Sequence, residues 1–277
     1  MTRLLRLLTL MGLLGWLFGC DTNKEPYQRK EGVWHFEEQA MPGVAELTVL
    51  NRRFSKSATQ AFFRATPITG ADPAAFEALD EHHARDRQQV WHADTYRDSQ
   101  DYFTTKRIRI RRLDGADPAS FMLLRDDYAR DAKHVWHDGT PFPVKDAASF
   151  EVLDHGFARD RQQGYYLRTA VPGSEGASFN VVDAQHARDA TSVFHAHMDL
   201  RASPPRVATR RIAEADLASF TALESSGYAR DIHRIYWRGR PLRDADPASF
   251  ALLPSGTPGA DAADARRRYS RGEIVAP

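Results

Sequence analysis

The sequence predicts a mainly β chain of tandem β-hairpin repeats, about seven degenerate copies joined by single helical turns and preceded by an N-terminal signal-peptide helix. Three recurring features carry that prediction. A ring residue followed by Ala-Arg-Asp occurs at His83 to Asp86, Tyr128 to Asp131, Phe157 to Asp160, His186 to Asp189 and Tyr228 to Asp231. Soon after each aspartate comes an apolar and aromatic pair: Val90-Trp91, Val135-Trp136, Val193-Phe194 and Ile235-Tyr236, with Gly164-Tyr165 in the third copy. Upstream lies a box ending in phenylalanine, at Asp72 to Phe76, Asp117 to Phe121, Asp146 to Phe150, Gly176 to Phe179, Asp216 to Phe220 and Asp246 to Phe250.

The chain opens with a short basic region, Arg3 and Arg6, and an apolar run from Leu7 to Phe18. A membrane span needs about 20 apolar residues, so this run has the length of an export signal. Leu17-Phe18-Gly19-Cys20 resembles the bacterial lipobox, in which the cysteine is acylated and becomes the first mature residue. Cys20 is the only cysteine, so lipidation there leaves no thiol for a disulfide. Asp21 resembles the inner-membrane retention signal of enteric bacteria. The expected organisation is a lipoprotein signal peptide over 1–19, a flexible tether over 20–31 with no apolar periodicity, and a repeat domain over 32–277.

Within one repeat the ring and the arginine are two positions apart, so they share one face of a strand while alanine and aspartate take the other. The aspartate opens a short polar turn by accepting backbone N–H groups two residues on. The Val-aromatic pair, of types that favour strands, closes the hairpin. Gly139, Gly239 and Gly272, each eight residues after a repeat aspartate, permit the next reversal. In Asp-Pro-Ala-Ser-Phe the aspartate caps a single helical turn, proline starts it, and phenylalanine drops into the core. Such a unit of two or three short strands cannot bury its own apolar face, so neighbours must stack.

Weaker copies extend the array: Phe54-Ser55-Lys56-Ser57 with Phe62 at one end, and Asp264 with Tyr269 and Gly272 at the other. Successive repeat aspartates are 45, 29, 29 and 42 residues apart, and the two long intervals mark insertions. Tyr96 to Leu113 holds the alternating Ile108-Arg109-Ile110-Arg111, expected as an extra exposed strand. His197 to Ile212 holds Ser203-Pro204-Pro205, expected as a loop.

These boxes resemble the DKNYY family of bacterial repeat proteins, whose members show Tyr-Ala-Lys-Asp-Lys, then Val-Tyr-Tyr, then Ala-Asp-Pro-x-Thr-Phe. The resemblance covers roughly Phe54 to Gly272, with arginine in place of the family's lysine and tryptophan in place of its first tyrosine. It implies an exported or lipid-anchored repeat protein and assigns no activity.

Without Arg3 and Arg6, the 38 Lys and Arg fall to 36, against 37 Asp and Glu, a balance that disfavours nucleic acid as a partner. No phosphate loop, Gly-x-Ser-x-Gly elbow or His-Glu-x-x-His occurs, and carboxylates recurring once per repeat suit turns better than acid-base chemistry. The histidines occupy repeat positions, and even His195-Ala196-His197 offers only a pair. Neither catalytic residues, metal nor cofactor is therefore expected. The candidate partner-binding residues are the arginine column Arg85, Arg130, Arg159, Arg188 and Arg230, which could meet carboxylates or phosphates on a partner or instead pair with acidic neighbours.

The expected function is a non-enzymatic, membrane-anchored envelope lipoprotein, facing the periplasm, that binds or scaffolds another protein. A narrower version is a periplasmic immunity protein against a secreted toxin. An alternative of another class is an envelope carbohydrate-binding module or hydrolase, using Trp91, Trp136 and Trp237 as stacking platforms. Solvent exposure of these tryptophans in one row is the feature that would favour it.

Overall fold

The structure, a computed structural model, describes residues 25–98 and 106–275. The expected signal peptide, Cys20 and Asp21 lie outside those residues. The described residues fall into two compact units, one up to Arg112 and one from Leu113.

Both units are built from small antiparallel meanders whose strands pair in sequence order. The first unit has a three-stranded sheet beginning at Tyr27 and two four-stranded sheets beginning at Thr48 and Glu77. The second unit has five four-stranded sheets, beginning at Met122, Glu151, Asn180, Thr221 and Ala251. The expected tether ends earlier than Glu31, because Tyr27–Lys30 is already a strand. Tyr27 is buried there, edge-on to Phe36 at 4.9 Å, and one buried ring in a polar stretch leaves no periodic signal.

The sheet that starts at Met122 illustrates the repeat. Its strands are Met122–Leu123, Tyr128–Arg130, Val135–His137 and Thr140–Phe142, with Tyr128 opposite His137 and Arg130 opposite Val135. The expected hairpin is thus the centre of a four-stranded meander. The outer strands, often two or three residues long, are too short to show period-two alternation, which is why the sequence suggested fewer.

Each repeat aspartate joins two parts of its unit. Asp131 Oδ1 accepts N–H bonds from Lys133 and His134 at 2.7 and 2.6 Å, closing the hairpin turn, and Oδ2 accepts the Asp117 N–H at 2.9 Å. Asp86, Asp160, Asp189, Asp231 and Asp264 repeat this arrangement, reaching back to the N–H of Asp72, Asp146, Glu175, Asp216 and Asp246. A serine of the upstream box completes the junction: Ser149, Ser178, Ser219 and Ser249 Oγ accept the N–H of the residue after the aspartate at 2.8–3.1 Å. In the divergent copy at Phe54, Ser57 Oγ stands in for the carboxylate and accepts the N–H of Thr59 and Gln60.

The box forms the expected single turn. It is a 3-10 turn at Ala147–Ser149 and Gly176–Ser178, and a hydrogen-bonded turn at Asp117, where Ser120 N–H donates to Asp117 O at 3.3 Å. Its phenylalanine meets the aromatic of the following pair at 5.7 Å for Phe121 and Trp136, 6.0 Å for Phe179 and Phe194, and 5.8 Å for Phe220 and Tyr236.

Within the second unit, successive sheets share cores. Tyr128, Val135 and Phe142 pack on Ala158 and Tyr165 of the next sheet, with Phe150 between them. Phe157 and Tyr166, on the opposite face, pack on Ala187 and Phe194. The same step recurs from Val193 and Ile212 to Ala229 and Tyr236, and from Tyr228 and Ile235 to Ala262 and Tyr269. The ring and the alanine of the tripeptide therefore point to opposite faces, as alternation requires, but both faces are buried. Alanine recurs because a neighbouring sheet lies against it: Ala187, Ala229 and Ala262 are 0% exposed and pack on the preceding sheet.

The insertions lengthen hairpins. Lys106–Arg112 is the expected extra strand and pairs along Val90–Arg97. In the second, only the Ser203-Pro204-Pro205 stretch is loop; Arg206–Ile212 is a strand paired with Val193–Asp199. Its polar and charged alternation on an exposed edge gave little apolar signal.

Candidate functional site

The arginine column divides by what stands across the strand pair. Arg85 faces Glu77 and Arg159 faces Glu151, and both pairs form ion bridges. Arg159 also donates to Phe179 O at 3.0 Å. Arg130, Arg188 and Arg230 face Met122, Asn180 and Thr221 instead. Arg130 is half-buried, with Nε lacking a hydrogen-bond partner among the described residues. Arg188 and Arg230 are exposed and have no carboxylate partner among the described residues. Two of the five are thus held by acids, and Arg188 and Arg230 present free guanidinium groups on separate sheets of the second unit.

The three tryptophans do not form an exposed row. Trp91 and Trp136 occupy core positions and are 2% and 1% exposed. Trp237 is partly exposed, lies 4.4 Å from the Tyr228 ring, and has the Arg238 guanidinium 5.5 Å from its centroid.

Histidines in ring positions serve as core polar residues. His186 Nδ1 lies 2.9 Å from Asp183, which also accepts the His186 N–H at 2.7 Å, and His83 meets Asp80 in the same way. His195 and His197 lie on one strand with ring centroids 5.0 Å apart. Burial, then the neighbouring His186, His197 and Arg238 charges, push the His195 imidazole down to about 3, so it is neutral at physiological pH.

The repeating carboxylates have their lone pairs committed. Asp231 takes four bonds: the His233 and Arg234 N–H on Oδ1, and the Asp216 N–H and Tyr236 hydroxyl on Oδ2. Burial alone would raise this carboxyl, but those bonds outweigh it and hold Asp231 below the usual carboxylate range, as they also do Asp131. A carboxylate so held is a poor proton carrier near neutral pH.

Comparison with known protein families, curated proteins and solved structures finds no match for this chain.

Sequence reasoning missed a second concentration of arginines, outside the tripeptide. Arg238 and Arg271 share one repeat position, just before Gly239 and Gly272, whereas Arg210 lies in the second insertion, so the three come together only through stacking of the last three sheets.

Proposed function

We propose that this chain is an exported lipoprotein, acylated on Cys20, whose repeat units bind another protein in the bacterial envelope. The observation that carries the binding part is the division of labour among charged side chains. The recurring aspartates are saturated by backbone N–H donors, whereas Arg188 and Arg230 recur at one repeat position with no acid to hold them. Stacked small sheets also offer long surfaces rather than deep, dry reaction chambers. Burial of Trp91 and Trp136 weighs against the sugar-stacking alternative. The anchoring part rests on the basic, apolar and lipobox segments that end at Cys20, and the resemblance to the DKNYY repeats agrees with export.

Two measurements test this. Metabolic labelling with a radioactive fatty acid should mark the wild type and not Cys20→Ser; equal labelling removes the anchor. Crosslinking in intact cells should retain one protein partner on the wild type and lose it on Arg188→Gln with Arg230→Gln. A partner retained equally by that variant removes those arginines from the interface, and no partner on the wild type removes the function.

A further inference from the structure

The last three sheets of the second unit enclose a cleft of about 1000 Å³. Six arginines line it, Arg201, Arg210, Arg238, Arg240, Arg243 and Arg271, against two carboxylates, Asp199 and Glu273. All six are exposed, and none forms an ion pair among the described residues, although the nearby Arg234 and Arg267 pair with Glu214 and Asp244. Like charges are therefore gathered here without internal neutralisation, at a cost in repulsion that an anionic partner would relieve.

Backbone geometry fixes the arrangement. Arg238 and Arg271 are the first residues of two Arg-Gly turns, with φ of 46° and 50°, followed by Gly239 and Gly272 at 70° and 79°. Each glycine lies against the preceding sheet. A Cβ on Gly239 would stand 2.7 Å from His195 Cβ and 3.4 Å from Arg210 Cδ, and one on Gly272 would stand 2.3 Å from the Trp237 ring. Arg210, Arg238 and Arg271 are thus presented by three consecutive sheets. His197 also lines the cleft, and its buried Nδ1 has no hydrogen-bond partner among the described residues.

We propose that this cleft docks an extended acidic segment of the partner protein, with carboxylates paired to Arg210, Arg238 and Arg271. This rests on the protein-binding function proposed above. Guanidinium groups suit carboxylates because two parallel N–H bonds can form at once. Face-packed sheets are spaced at about 10 Å, close to three residues of extended chain at roughly 3.3 Å each. An acidic residue at every third position therefore follows the three levels. Nucleic acid fits less well, since the mature chain's near-neutral charge leaves little field beyond the cleft to hold a long phosphate backbone.

The test uses the full lipidated chain in detergent micelles and a fluorescent twelve-residue peptide with glutamate at every third position among serines. Fluorescence anisotropy should show binding that weakens with added salt. It should fall at least tenfold in the triple variant Arg210→Gln, Arg238→Gln, Arg271→Gln, whose exposed positions leave the circular dichroism spectrum unchanged. Arg52→Gln with Arg87→Gln and Arg168→Gln, which removes equal charge elsewhere, should bind as the wild type does. Absent binding, equal binding by the cleft variant, or tighter binding of an oligothymidylate or of vesicles containing phosphatidylglycerol overturns the docking surface. If the cleft variant still crosslinks the cellular partner, the cleft drops out of the interface while the proposed function stands.

Discussion

Asp231 Oδ2 accepts the backbone N–H of Asp216 at 2.9 Å, so a side chain in a hairpin turn holds the start of a box fifteen residues upstream. Asp231 is 3% exposed, and its Oδ1 closes its own turn.

Asp231→Ala should therefore leave three part-buried N–H groups and the buried Tyr236 hydroxyl without their acceptor and lower unfolding free energy by about 3 kcal/mol. Asp231→Asn should fall between, because an amide keeps one acceptor but turns an NH₂ toward one set of donors. Urea denaturation measures both. An asparagine variant as stable as the wild type would remove this role for the second oxygen.

Gly164 stands where other copies carry valine or isoleucine, and a repeat consensus would recommend Gly164→Val. A Cβ there would stand 2.6 Å from the Phe179 ring, which fills the space a valine would need. The substitution should destabilise by roughly 1–3 kcal/mol despite valine's strand preference. A raised thermal midpoint would show that Phe179 can move aside.

Leu167 and Arg168 form a hairpin turn with φ of 43° and 63°, where the neighbouring sheet has Asp138-Gly139 at 48° and 62°. Side chains in the left-handed region cost roughly 1 kcal/mol each. Arg168→Gly should accordingly stabilise the chain by about that amount, read as a higher urea midpoint at unchanged slope.

His195 sets a pH dependence. Its folded value, about 3, lies below its unfolded value near 6.5, so the unfolded chain binds the extra proton and stability falls as pH drops below 6.5 towards 3. One proton corresponds to a slope of about 1.4 kcal/mol per pH unit. The loss begins above the carboxylate range, whereas Asp264, down to about 2 because its bonds outweigh burial, loses its contribution only below about pH 4. The unfolding free energy should fall less between pH 7 and pH 5 in His195→Gln than in the wild type, and equal losses would assign the slope to other groups.

The sequence by itself determined the repeat, the central hairpin, the aspartate turn and the core place of each box phenylalanine. Each depends on contacts a few residues apart, so fixed offsets such as Asp231 to Tyr236 carry them. Even the divergent copies at Phe54 and Asp264 were legible, since their turns keep the acceptor at the same place. Tertiary structure alone decided what covers the strands and what lies across them. Ala187 is buried because the preceding sheet, with Phe157 and Tyr166, lies on its face, and Arg188 lacks an acid because Asn180 stands where Glu151 stands in the preceding sheet. The gathering of Arg210, Arg238 and Arg271 is of the same kind. Arg238 and Arg271 share a repeat position but Arg210 lies in an insertion, and the three meet because stacking brings the turn of one sheet onto the strand of another, a proximity no sequence offset encodes.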